Sequence, residues 1–185
     1  VRRWIVGVGR LVPGKGFDTA VAALQGLPED VHLALVGDGP ERNRLMAEGG
    51  GRLTLLGSRP PADVVLALQA ASLAVLPSHR EGWPNVVTEA LATGVPVVAT
   101  PVGAVPTMLR DSVAGRMAPI GEVAAHRQAM AELLAEPPAR SAVREWATQF
   151  GWREPVLRLA GAFRALAAGG DPVAAFHGAA LGAAG

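Results

Sequence analysis

Two stretches of this 185-residue chain carry side chains whose types and spacing could do chemistry. The first, "VGRLVPGKGF" from Val8 to Phe17, sets two cations, Arg10 and Lys15, among Gly9, Gly14 and Gly16. Glycine lets the backbone turn tightly and approach a ligand, and a lysine ammonium is a compact point charge suited to phosphate. Lys15 is the only lysine in the chain; every other basic residue is arginine. A triphosphate-binding P-loop needs Ser or Thr after this lysine to hold Mg²⁺, and Gly16 stands there instead. The dinucleotide fingerprint fails as well, because Val12 occupies the place of its third glycine. Two readings remain. One is a tight loop that holds a diphosphate without a protein-bound metal. The other is an ordinary strand-to-helix turn with two solvated cations.

The second stretch is "SHREGWPNVVTEALATGVPVVAT", Ser78 to Thr100. Pro84 fits the first position of a helix and Gly94 its end. The amides of Asn85, Val86 and Val87 then lack partners inside the helix and sit at the positive end of its dipole. That is an anion site made of backbone. Glu81 lies in the loop ahead of the helix and Glu89 in its second turn, so the two carboxylates bracket the anion site. A carboxylate accepts hydrogen bonds from hydroxyl groups, and a nucleotide sugar offers hydroxyls on both sides of its diphosphate. Either acid alone reads equally well as a solvated surface residue.

The elements that must position these loops follow from short apolar runs alternating with helical patterns. Strands are predicted over 4–8, 31–36, 52–56, 72–76, 95–99 and 114–118, and helices over 17–24, 40–48, 61–71, 84–93 and 105–110. Three further helices are predicted over 123–135, 139–149 and 152–167. Strand–helix alternation with β-rich apolar runs means a parallel sheet covered on both faces. Ligands of such sheets bind beyond the carboxyl ends of the strands, where strand order reverses. The loops over 9–16, 37–40, 57–60, 77–84 and 100–106 are therefore where function is expected. The Gly- and Ala-rich stretch 169–185 lacks periodicity and is expected to be a disordered tail beyond a domain over 1–168.

Composition excludes several classes. Half the residues are hydrophobic and 18% are charged, which is a globular balance. The net charge of +1 and the lack of a basic run argue against a nucleic-acid binder. With no cysteine, a disulfide scaffold, a thiolate metal site and a cysteine nucleophile are excluded. His32, His79, His126 and His177 show no metal spacing. Of these, His79 reads as a solvated loop residue. Trp83 reads as a packing residue of the site wall, and Trp146 and Trp152 as packing residues of the last helices. No run approaches the roughly 20 apolar residues of a membrane span, and no signal peptide is visible. The expected location is the cytoplasm.

The motifs "GRLVPGKGF", "LALVGDGPER", "LLGSRPPADV", "LPSHREGWPNVVTEALATGVPVVATPVGAVP" and "FGW" occur in this order from Val6 to Ala167. Together they resemble the C-terminal domain of family 4 (group 1) retaining glycosyltransferases, which have the two-domain GT-B fold. The resemblance implies a Rossmann-like doubly wound parallel sheet of about six strands. It implies that Arg10, Lys15 and Glu81 act in catalysis. The two cations would neutralise the departing diphosphate, and Glu81 would contact hydroxyls of the donor sugar. It places Glu89 on the ribose, and Ser58 and Arg59 at the base. Gly9, Gly14, Gly82, Trp83, Pro84, Asn85, Val86 and Gly103 would line the donor. The implied substrate is a UDP- or GDP-sugar, with no cofactor and no metal. The acceptor-binding N-terminal domain would lie outside this chain, which would bind donor but be inactive alone. The full-length enzyme would have room to attach peripherally at the inner membrane face.

Departures from the family pattern are visible. The common "GGxPE" loop is Gly103-Ala104-Val105-Pro106-Thr107 here, so its glutamate is absent. Competing readings are a non-catalytic nucleotide-sugar-binding module and an epimerase-like GT-B relative. The Arg- and Ala-heavy composition points to a GC-rich bacterial genome, and so to carbohydrate biosynthesis in a bacterium.

Overall fold

The computed structural model describes residues 2–151 and 153–178, with side chains in the last segment from 155 onward. These residues form two compact units that divide after Thr148. The first unit contains six strands, as expected: β1 (Arg3–Val8), β2 (Val31–Val36), β3 (Leu53–Gly57), β4 (Leu73–Leu76), β5 (Val97–Ala99) and β6 (Gly115–Met117). Every pairing is parallel and the order is β3-β2-β1-β4-β5-β6. Order reverses between β1 and β4, so the loops that leave these two strands meet at the switch point.

Seven helices connect and cover the sheet: α1 (Phe17–Leu24), α2 (Arg42–Gly49), α3 (Pro61–Ala70), α4 (Asn85–Ala92), α5 (Val105–Met108), α6 (Val123–Ala135) and α7 (Arg140–Ala147). Right-handed crossovers put α1 and α2 on one face, and the return from β3 to β4 puts α3 on the other. Period-two alternation sorts the strands accordingly. Ile5, Leu33, Leu35, Leu73 and Val75 are buried with Val21, Leu24, Leu45, Met130 and Leu133 in one core. On the opposite face, Val87 and Leu91 of α4 are fully buried.

Arginines close the helix ends. The guanidinium of Arg52 donates to the Leu24 carbonyl at the end of α1 (2.8 Å) and to the Leu27 (3.0 Å) and Pro28 (3.2 Å) carbonyls of the turn that follows. Arg140 does the same for Gln69 at 2.9 Å and for Ala71 at the end of α3. At the end of α4, Gly94 has φ 80°. Its N–H donates to Leu91 and that of Val95 to Ala90, both at 2.9 Å, in a Schellman motif. This is why β5 starts at Val97 rather than at the expected Val95: the amide of Val95 belongs to the helix cap.

The second unit holds α8 (Arg153–Ala167) and α9 (Pro172–Gly178). Helix α9 lies in the stretch expected to be a disordered tail, and the units part well before residue 168. The signal was local. Asp171 accepts from the amides of Val173 (2.8 Å) and Ala174 (3.2 Å), and Pro172 fills the first helical position. Trp152 and the stretch 179–185 lie outside the described residues. Val156, Phe163 and Leu166 of α8 are exposed. Trp146 of α7 packs as expected, with its indole N–H on the Met108 carbonyl at 2.8 Å and Arg110 over its ring.

His126 in α6 is fully buried, with Nδ1 on the Glu122 carbonyl at 3.0 Å and no partner for Nε2 among the described residues. Burial holds its imidazole below the ordinary value of 6.5, and the Glu122 hydrogen bond opposes this weakly. The unfolded chain takes up a proton below 6.5 that the folded chain refuses. Stability from neutral His126 is therefore present above that pH and lost as pH falls toward the lowered folded value. The midpoint of thermal unfolding should drop between about pH 7 and about pH 5, and His126→Leu should lessen the drop. An unchanged drop in the variant would contradict this account.

Candidate functional site

Four loops are stitched together around the switch point through backbone contacts. The loop after β1 is pinned to the loop after β2, with the Gly9 amide on Val36 O and the Leu11 amide on Asp38 O, each at 2.9 Å. It then forms a single 3₁₀ turn, Pro13–Lys15, and enters α1 through Gly16 at φ 62°. A Cβ on Gly16 would sit 2.2 Å from the carbonyl oxygen of Pro77, in the loop after β4. In the same seam the His79 amide donates to the Gly14 carbonyl at 2.9 Å. Both the left-handed backbone and the close approach therefore require glycine at 16.

The loop after β4 is held from its other side by the loop after β5. Gly103 has φ 56°, and a Cβ there would lie 2.4 Å from the carbonyl oxygens of both Glu81 and Gly82. The Ala104 amide donates to Gly82 O at 2.9 Å, and the Thr100 hydroxyl donates to Ser78 O. Ser78 is fully buried, and its own hydroxyl has no partner among the described residues.

Inside this frame Lys15 Nζ and Glu81 Oε1 form an ion pair at 2.6 Å, with the two side chains 25% and 13% exposed. The two residues are far apart in sequence, and the sequence reading had not paired them with each other. Pro84 is a correction. It is not the first helical residue but the N-cap, with extended backbone at φ −76° and ψ 100°. Its carbonyl accepts from the Val87 amide at 3.0 Å. Of the three amides expected to be open, that of Val87 is thus engaged, and those of Asn85 and Val86 have no hydrogen bond among the described residues. Glu89 is exposed on α4, about 6 Å along the axis from Asn85 at 1.5 Å per residue. It makes no ion pair with the other site residues among those described. Trp83 is 49% exposed, and His79 is exposed as expected.

Ser58 and Arg59 follow β3, and the Arg59 guanidinium donates through Nε to the Leu56 carbonyl at 2.9 Å. With Gly9, Arg10, Gly37 and Asp38 they line an open cavity of about 210 Å³ beside the switch point. Asp38 was missed by sequence reasoning. Its signal was the flanking glycines of "GDG". Its carboxylate accepts from the Gly39 amide at 2.8 Å through one oxygen. Arg10, Arg59 and Asp38 thus line one cavity, and Lys15 and Glu81 meet in the seam between the loops after β1 and β4. Such a set can bind an anion flanked by hydroxylated groups.

Comparison with known proteins gives this arrangement its context. Residues 2–136 match the model of the glycosyl transferases group 1 family. The chain is 35% identical over 180 residues to the D-inositol 3-phosphate glycosyltransferase of Mycolicibacterium gilvum, covering 89% of this chain and 40% of that protein. Sucrose-phosphate synthase from Thermosynechococcus elongatus superposes with a TM-score of 0.83 at 28% identity, over 91% of this chain and 46% of that one. Anabaena HepE, solved with UDP and glucose, shares the fold with a TM-score of 0.74 at 24% identity, over 80% of this chain and 44% of that one. In fold the chain corresponds to one Rossmann-like half of the GT-B architecture. The chain belongs to the glycosyl transferases group 1 family. It spans 40% of the length of the M. gilvum relative and about half that of the similar structures.

The stitching generates a contrast between two neighbouring glycines. Gly16→Ala should destabilise the chain by about 1–3 kcal/mol, from left-handed strain and the Pro77 contact. Gly14, beside it, has nothing within 4 Å of an added Cβ. Gly14→Ala should fall within about 0.5 kcal/mol of wild type. Urea unfolding measures both, and equal effects would contradict the packing described.

Proposed function

We propose that this chain is the C-terminal, donor-binding half of a retaining glycosyltransferase that uses a nucleoside-diphosphate sugar. The observation that carries the reading is the seam at the switch point. It sets the sole lysine and the Glu81 carboxylate in contact, with Glu81 four residues ahead of Asn85, the first residue of α4. In this reading Lys15 and Arg10 take the charge of the diphosphate, together with the amides of Asn85 and Val86. Glu81 accepts from hydroxyls of the transferred sugar, and Glu89 from the ribose. Ser58 and Arg59 border the base in the cavity they share with Gly9. The backbone at Gly9, Gly14, Gly82, Trp83, Pro84 and Gly103 shapes the walls.

The chemistry follows from where charge develops. The C–O bond between the anomeric carbon and the diphosphate breaks through an oxocarbenium-like state, and negative charge collects on the leaving oxygens. Fixed cations and amides aimed at those oxygens lower the barrier without reorganising. They take the part a divalent metal plays elsewhere, so no resident metal is required. The acceptor hydroxyl attacks from the face the leaving group vacates, which retains configuration. Its site belongs to the other GT-B half, outside this chain, so donor binding and not turnover is the property to test here. UDP is the first nucleotide to try, because HepE was solved with UDP and glucose.

Calorimetric titration of the chain with UDP, GDP and ADP, without metal, tests the reading. One of the three should bind. Lys15→Ala should weaken it about 10- to 100-fold, the worth of a charge-assisted hydrogen bond, and Glu89→Ala should weaken it in the same direction. Absence of binding to the folded chain, or Lys15→Ala binding like wild type, would overturn it.

A further inference from the structure

The Lys15–Glu81 pair has a consequence for which ligand the site prefers. In the structure the ammonium is engaged, at 2.6 Å, by a carboxylate that is only 13% exposed. The pair joins the loop after β1 to the loop after β4. Both loops are fixed by the Gly16–Pro77 and Gly103–Glu81 contacts, so neither partner leaves by loop movement without breaking those seams. Within that frame a phosphate oxygen and Glu81 compete for one ammonium. Removing one member of a partly buried pair leaves the other charge uncompensated, and here the remaining carboxylate would face an added anion.

We propose that Lys15 and Glu81 form an ionic latch that makes the site select an intact nucleoside-diphosphate sugar over the free nucleoside diphosphate. The inference rests on the donor-site reading above and deepens it. A free diphosphate draws Lys15 away and strands Glu81 beside phosphate charge. An intact donor draws Lys15 away and supplies sugar hydroxyls, which donate to Glu81 in its place. When the sugar has been transferred, Glu81 loses those donors and takes Lys15 back, loosening the hold on the diphosphate product. Glu81 thus acts on the diphosphate through Lys15, as a positioning residue, as well as on the sugar directly.

Two measurements on the whole chain test the latch. Lys15 is the sole lysine, so selective ¹⁵N-lysine labelling gives one side-chain Nζ signal. In the ligand-free protein that signal should shift on Glu81→Gln, while the backbone spectrum shows the variant folded. An unmoved Nζ signal would overturn the latch whatever nucleotides do. In the second measurement, UDP and UDP-glucose (or the GDP pair) are titrated into both proteins. Glu81→Gln should bind the free diphosphate about twofold to fivefold more tightly than wild type, the range for an ion pair open to solvent. It should also lose preference for the sugar nucleotide. Weaker or unchanged diphosphate binding in Glu81→Gln would overturn the inference and leave the donor site standing. No nucleotide binding to either protein would overturn the donor-site reading, and the latch with it.

Discussion

The carbonyl oxygen of Pro77 lies where any side chain on residue 16 would have to be. That contact presses the loop after β1 against the loop after β4, and the crevice depends on it. A parallel sheet whose order reverses between β1 and β4 brings these loops near each other in any case. What turns proximity into a defined site is backbone-to-backbone packing on both flanks. Gly37 meets the Gly9 carbonyl on one side, and Gly103 meets the carbonyls of Glu81 and Gly82 on the other. The side chains proposed to act on a ligand, Lys15 and Glu81, hang from this frame and do not build it.

The frame is in turn held by ordinary fold physics. β4 is a four-residue strand buried along its whole length, so it has no polar face and its ends are set by the layers around it. Arg52 and Arg140 satisfy helix-end carbonyls from elsewhere in the chain, which ties the ends of α1 and α3 in place. Among the described residues no helix is long and apolar enough to cross a membrane.

Much of this was legible in the sequence, and the misses have physical causes. The strands show because apolar, largely buried runs such as "LAVL" and "VHLALV" have no other place to go, and Gly94 shows because a Schellman end needs it. The Gly/Lys loop and the Glu81–Glu89 stretch were legible as a candidate site, since their residue types are unusual for plain turns. Proline was misplaced by one position at α4. Its fixed φ suits both the N-cap and the first helical residue, and only ψ separates them. Helix α9 was missed because its Gly/Ala composition hid the Asp171-Pro172 start. The Lys15–Glu81 contact and the unpartnered Ser78 hydroxyl had no sequence signature at all. Both depend on how closely two loops from distant strands approach, and local patterns do not encode that distance.

The proposed function makes the crevice between the ends of β1 and β4 a diphosphate site built from Lys15, Arg10 and the first amides of α4. A crystal structure of this chain grown with a nucleoside diphosphate is the decisive experiment. Diphosphate density is expected between the Gly9–Gly16 loop and the amides of Asn85 and Val86, with Lys15 turned from Glu81 to a phosphate oxygen. Density for the nucleotide elsewhere on the chain, with the Lys15–Glu81 pair undisturbed, would contradict it.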